Sequence, residues 1–291
     1  MKYQAPTSIE EAVALLSSDP GARVFAGATD LIPQFQGGRP EPSMLVDLKG
    51  VPQTGVLECQ NGYWRVGAAV PAARLTSHRE LVSAFPGLVE GTSLIGSDQI
   101  QGRATLGGNL CNASPAADSV PPLVALGATA VIVGAAGRRS VPVSEIVIGP
   151  GATSLHHAEF ITEFRIPVPA RGCSDAYERF IPRTEMDIAV VGAAARIRLD
   201  DQGRCRDATV VLGAVAPTVA EVSAAAEILR GRQLAEAPNC KAFWEELGEA
   251  AVASCNPIDD KRGTVQFRRR VAAVLARRTV APAARRAKEA I

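Results

Sequence analysis

The stretch "ATLGGNLCNASPAADSVPPL", residues 104–123, decides how the rest of the chain is read. It holds a glycine pair, two asparagines, a Ser-Pro step and one aspartate, and it runs directly into an apolar segment. Turn chemistry accounts for part of this, because Gly, Asn, Ser and Pro each favour tight bends. Polar, glycine-rich backbone at the edge of a core also suits the phosphates of a cofactor. A second segment of the same kind, "FAGATDL" at 25–31, follows a short apolar run. Neither loop contains a lysine, and only Arg103 stands nearby. Without cations, a diphosphate can still be held by a concave array of backbone N–H groups, helped by hydroxyl and amide side chains. Glycine permits the close backbone approach this requires. Thr29, Thr105 and Asn109 would add side-chain donors, and Asp118 could accept from hydroxyls of a ribose or ribityl chain. On chemistry alone, two ligand-free tight turns remain the alternative.

Composition removes several other functions. The 291 residues suit one large domain or two to three small ones, with a substantial core. Thirty-one basic residues against thirty acidic ones leave no broad positive face for nucleic acid, and aromatics at 4% offer few stacking platforms. The six cysteines, Cys59, Cys111, Cys173, Cys205, Cys240 and Cys255, are far apart and form no CxxC, so neither an iron–sulfur nor a zinc site is expected. There is no GxGxxG and no Gly-Lys pair, which removes the Rossmann fingerprint and the P-loop. His78, His156 and His157 sit apart from any serine or cysteine motif, and no catalytic residue or metal ligand is assigned. The start "MKYQAPTSIEEA" carries charges where an apolar signal segment would be needed. The uncharged run at 119–137 is broken by two prolines and three glycines, and it reads as a buried helix followed by a strand. A cytoplasmic protein with no membrane insertion is expected.

Hydrophobic periodicity supplies the elements. "PTSIEEAVALLSS" predicts a helix capped by Ser8, with Glu11 completing a capping box. Short strands are expected at "ARVF" and "SMLVDL", another at "NGYWRVGA", and helix on both sides of Pro86. "ATAVIVGAAGRRSVPV" reads as a hairpin turning near Gly137, and "FITEFRIPVP" as a strand ended by prolines. "PVPARGCSD", 167–175, is the best linker, and the boundary is placed near residue 172. Beyond it come two long strands joined at Asp200–Gly203, a helix over "TVAEVSAAAEILRGR", and a last helix over "TVQFRRRVAAVLARR" with a fraying tail.

With these segments in order, the chain resembles the medium, FAD-binding subunit of molybdenum hydroxylases of the carbon monoxide dehydrogenase and xanthine dehydrogenase type. "AGATDLIP" is similar to the family's first flavin loop, and "RATLGGNLCNASPAADSVPPLVALGA" to its second. "YERFIPRTEMDIAVVGAAARI", "VLGAVAPTVAEVSAAAEILRG" and "DDKRGTVQFRRRVAAVLARR" resemble its C-terminal domain. The resemblance implies an α+β protein. A two-subdomain FAD-binding fold of the vanillyl-alcohol-oxidase-like kind would occupy 1–172, divided near residue 57, with FAD between its subdomains. A C-terminal domain of antiparallel sheet and helices would occupy 173–291.

It also implies roles. Val24 to Leu31 would wrap the diphosphate, chiefly through the main chain of Ala26, Gly27, Ala28 and Thr29, with Asp30 in the same loop. Thr105, Gly107, Gly108 and Asn109 would bind diphosphate and ribityl oxygens, with Asn112 and Asp118 completing the polar lining. The backbone at Ile161 would lie beside the isoalloxazine, and Arg179 falls where some members have a lysine near the flavin. The molybdenum cofactor and iron–sulfur clusters are expected only in partner subunits, one large and one small, assembled as a dimer of heterotrimers. Electrons would pass from those clusters through FAD to NAD, oxygen or a quinone-linked acceptor. Two other readings stay open: a stand-alone flavin oxidoreductase, and a flavin-free scaffold subunit of the same complex. Three departures stand out. Ala28 replaces a common second glycine, which predicts that this position needs no positive φ. Gln101-Gly102 replaces Arg-Asn, and Arg179 replaces lysine.

Overall fold

The computed structural model describes residues 1–183, 186–234 and 242–291. Cys240 lies outside the described residues. The chain divides into two compact units.

The first unit comprises residues 1–75, 98–113 and 127–168. Lys2–Gln4 (β1), Arg23–Phe25 (β2) and Met44–Asp47 (β3) form a parallel sheet in the order β1-β3-β2. The Ile9–Ser18 helix buries Ala12 and Leu16 in a core shared with Met44, Val46 and Leu48. Ser8 caps it, its Oγ accepting from the Glu11 amide at 3.1 Å, while the Glu11 carboxylate accepts from the Thr7 amide at 2.8 Å. A second sheet is antiparallel and contains Leu57–Gln60 (β4), Tyr63–Gly67 (β5), Thr129–Gly134 (β6), Gly137–Pro142 (β7) and Phe160–Pro167 (β10). Its order is β4-β5-β10-β6-β7, and the β6–β7 hairpin turns at Gly137, φ +104°. A two-stranded ribbon of Val147–Gly149 (β8) and Ala152–Thr153 (β9) completes the unit.

The second unit comprises residues 76–97, 114–126 and 169–291. Residues 76–97 and 114–126 precede the expected linker, yet they pack here. Cys173–Phe180 (β11), Val191–Leu199 (β12), Cys205–Gly213 (β13) and Ala220–Glu221 (β14) form an antiparallel sheet in sequence order. One face carries small and branched side chains, Ala193, Ala195, Ile197, Val210 and Leu212, packed under Trp244, Leu247, Leu275 and Ala276. Alanines at these positions let helix and sheet backbones approach closely. The Pro86–Ser93 and Val120–Ala125 helices also pack in this unit, where the Ala214 amide donates to the Pro115 carbonyl at 2.7 Å.

Two expected elements differ. Only Ala225–Leu229 of "TVAEVSAAAEILRGR" is helical, because Ala220–Glu221 pairs with β13 and the Val222 amide donates to Val210. The expected fraying tail is instead the continuation of a Val265–Glu289 helix. Ala283, Ala284 and Ala287 are buried there, and Arg286 pairs with Glu90 and donates to the Asp175 carbonyl, which fixes the last turns. The uncharged run at 119–137 divides into the Val120–Ala125 helix and β6, and no helix among the described residues is long and apolar enough to cross a membrane.

Candidate functional site

Within the first unit, the two glycine loops touch. β2 ends at Phe25, and the chain turns through Ala26–Asp30 into the Leu31–Gln36 helix. A Cβ on Gly27 would lie 1.9 Å from the Arg103 carbonyl oxygen, so this glycine is required by contact with the segment entering the second loop. A further tie is polar: Gln34 Nε2 donates to Asn112 Oδ1 at 2.9 Å, joining the helices that follow each loop.

Ala28 has φ +58°. The expectation that it needs no positive φ is therefore corrected: the residue sits in the left-handed region although it is alanine. The loop must reverse between β2 and a helix whose Ile32 amide already donates to the Ala28 carbonyl, and a left-handed residue makes that reversal. A single left-handed residue between two that lack positive φ turns neighbouring N–H groups toward one side. The amides of Gly27, Ala28, Thr29 and Asp30 find no acceptor among the described residues. These unclaimed donors fit an anionic group.

The second loop is built on a short helix, Leu106–Cys111. Thr105 is its N-cap, with Oγ1 accepting from the Gly108 amide at 2.9 Å. The two glycines have different duties. A Cβ on Gly107 would lie 2.5 Å from the Ala68 carbonyl oxygen, and the Gly107 amide donates to that same oxygen at 3.2 Å. Gly107 is thus a packing glycine. Gly108 is exposed, and a Cβ there would meet only Thr105 Oγ1, at 3.2 Å. Its open side is free to receive a ligand. Ala68 continues the chain of contacts, its amide donating to the Thr162 carbonyl at 2.9 Å, next to Ile161 at the β10 bulge. Ile161 itself is buried. Val24 and Leu31 are partly buried at either end of the first loop, and Asn109 is partly exposed on the second helix. Val24 to Leu31, Thr105 to Asn112 and Ile161 therefore all belong to one unit.

Asp118 and Arg179 come together in the second unit. Arg179 Nη1 donates to Asp118 Oδ2 at 2.5 Å, and the Tyr177 hydroxyl donates to Oδ1 at 2.7 Å. Burial pushes the Asp118 carboxyl up to about 6, against the opposing pull of Arg179 and Tyr177. Each Asp118 oxygen thus accepts from a protein donor within the second unit. Tyr177 was missed by the sequence reading, which had no means of pairing β11 with the 114–126 segment.

Lys49 was missed as well. Its ammonium donates to the Ala26 carbonyl at 3.1 Å and to both Asp47 oxygens at 2.7 and 2.6 Å, and it stands 4.4 Å from the centre of the Phe25 ring. Asp47 also accepts from the Tyr3 hydroxyl at 2.5 Å. Burial raises the Asp47 carboxyl, but Lys49 and Tyr3 outweigh it and hold the group below the usual carboxylate range. The missing signal was strand pairing. The parallel β2–β3 register sets Phe25 beside Asp47, so the carboxyl ends of both strands, where α/β sheets present ligand sites, fall together.

The chain is similar to known proteins along almost its whole length. The family model described as "FAD binding domain in molybdopterin dehydrogenase" matches residues 1–169, and that described as "CO dehydrogenase flavoprotein C-terminal domain" matches residues 176–283. The carbon monoxide dehydrogenase medium chain of Afipia carboxidovorans is 33% identical over 287 residues, covering 98% of this chain and 97% of that one. Subunit alpha of the 6-hydroxypseudooxynicotine dehydrogenase complex of Paenarthrobacter nicotinovorans is 30% identical over 288 residues, covering 98% and 95%. Among solved structures, a chain of Cu,Mo-CO dehydrogenase in its cyanide-inactivated form matches with a TM-score of 0.91 and 31% identity, covering 98% of each chain.

Proposed function

The chain belongs to the FAD-binding subunits of molybdopterin dehydrogenases, and from that membership we propose that it is the electron-carrying medium subunit of a molybdenum hydroxylase. It is an oxidoreductase subunit whose cofactor is FAD. In this proposal a large subunit oxidises the organic substrate at a molybdenum cofactor, and a small subunit carries iron–sulfur clusters that deliver electrons here. NAD, oxygen or a quinone-linked carrier then receives them. The names of the relatives, a "medium chain" and a "complex subunit alpha", support a multi-subunit assembly, for which we propose a cytoplasmic dimer of heterotrimers.

Bound FAD supplies a carrier that accepts electrons singly or in pairs. The protein's share is binding and orientation. The amides of Gly27, Ala28, Thr29 and Asp30 would hold the diphosphate, with Thr29, Thr105 and Asn109 as side-chain donors. Gly108 gives that group its room, and Ile161 offers backbone near the second loop. For Asp118 and Arg179 the flavin role rests on the resemblance alone. The observation that carries the proposal is the row of unclaimed amides at 27–30, held against the second loop by the Gly27–Arg103 contact.

Gly108 provides the test. A side chain there displaces little besides the Thr105 hydroxyl, so Gly108→Leu is expected to fold, as read by circular dichroism. The full chain should purify yellow with about one FAD per polypeptide, the variant with less than about a tenth of that. Equal flavin content in both would refute the site, and a wild-type chain that cannot be loaded with FAD would refute the proposal.

A further inference from the structure

Lys49 lies beside the first loop. Its ammonium donates to the Asp47 carboxylate, within reach of both oxygens, and to the Ala26 carbonyl oxygen. The adjacent carboxylate offsets the ammonium charge, which favours action on a bound anion through the peptide the lysine grips.

That peptide joins Ala26 to Gly27. In a planar trans peptide the C=O and the following N–H point in opposite directions. A carbonyl drawn toward Lys49 turns the Gly27 amide the other way, and the Gly27 amide opens the unclaimed row. Tyr3 and Asp47 brace the arrangement from behind, because Tyr3 donates to the carboxylate that anchors the ammonium. The Phe25 ring limits the lysine's remaining freedom.

We propose that Lys49 is a positioning residue for the cofactor's diphosphate: held by Asp47, it fixes the Ala26 carbonyl and so presents the Gly27 amide to the anion. The inference rests on the FAD reading above. It differs from a role by charge in one decisive respect. If Lys49 attracted the diphosphate electrostatically, removing the neutralising Asp47 charge would strengthen binding. If Lys49 acts by orientation, loosening its anchor weakens binding.

The experiment titrates flavin-stripped full chain with FAD, followed by flavin fluorescence and by ³¹P resonances of the bound diphosphate. Lys49→Met and Asp47→Asn are each expected to weaken FAD binding by about tenfold and to shift the ³¹P resonances, with Lys49→Arg recovering part of the loss. The isoalloxazine absorption band should stay at its wild-type position. The flavin-free melting temperature should fall in Lys49→Met and Asp47→Asn, because each removes half of a partly buried ion pair, with the circular dichroism of a folded chain retained at the titration temperature. Unchanged affinity in Lys49→Met overturns the proposal, as does tighter binding in Asp47→Asn. A loss of affinity with the ³¹P resonances at their wild-type positions also overturns it. A wild-type chain that takes up no FAD overturns the underlying reading, whereas wild-type binding with an indifferent Lys49→Met removes this inference alone.

Discussion

Ala28 occupies a backbone region that costs an L-residue roughly 1–2 kcal/mol, and it does so at φ +58° in the middle of the proposed phosphate loop. Replacing it by glycine relieves that strain but adds freedom to the unfolded chain, worth about 0.4–1 kcal/mol in the opposite direction. Ala28→Gly is therefore expected to be neutral or stabilising by up to about 1 kcal/mol, whereas Ala28→Val should destabilise by more than about 1 kcal/mol. Urea midpoints of the flavin-free chain check both. A Gly variant clearly less stable than wild type would mean the loop does not hold this conformation. The same residue shows where sequence reading stops. A glycine would have announced the positive φ; an alanine concealed it. Gly107 and Gly108 were both legible as special, but only coordinates separate the one that packs on Ala68 from the one that faces open space.

The elements were read unevenly for physical reasons. Long alternating strands such as β12 and β13, and the capped Ile9–Ser18 helix, carry enough periodicity to declare themselves. The three-residue β1 and the six-residue Leu106–Cys111 helix do not, since neither spans two turns of any pattern. Pairings across the chain were invisible. One of them governs the Pro86–Ser93 helix, whose Leu88 amide donates to Asp175 Oδ2 of β11 at 2.9 Å. Asp175 Oδ1 has no hydrogen-bond partner among the described residues, and burial pushes this carboxyl up to about 7 from its usual 3.8. A carboxyl raised on folding contributes its stability below the unfolded value and loses it as pH rises through the folded one. Stability from Asp175 should thus decline from pH 3.8 toward about 7. Asp175→Asn, which keeps an acceptor for Leu88, should gain on the wild type as pH rises from 3.8 to about 7 in urea unfolding. A difference independent of pH would show that Asp175 does not titrate in that window.

At the scale of the molecule, the chain passes between its two units five times, at the borders before residues 76, 98, 114, 127 and 169. The 104–123 segment is itself divided: Ala113, φ +49°, closes the first unit's share and Ser114 opens the second's. The linker composition suggests a single boundary near 172, whereas the interleaving of the units is not legible in the sequence, because local composition carries no record of distant packing. Residues 1–172 expressed alone would lack β11 and β13, against which Gly87, Leu88, Pro115 and Pro121 are packed. That fragment is expected to be insoluble or to show collapsed, poorly dispersed amide resonances. A soluble fragment with dispersed resonances would mean that the early segments need no later partner.

This interleaving bears on how the protein is made. Leu88, Val120 and Leu123 leave the ribosome well before the strands that bury them. Synthesis therefore passes through a stage in which greasy surface waits for chain still inside the tunnel. A nascent polypeptide of this design needs sheltering until its last helix emerges, and its supply in the cell depends on chaperone capacity as much as on the strength of its finished core.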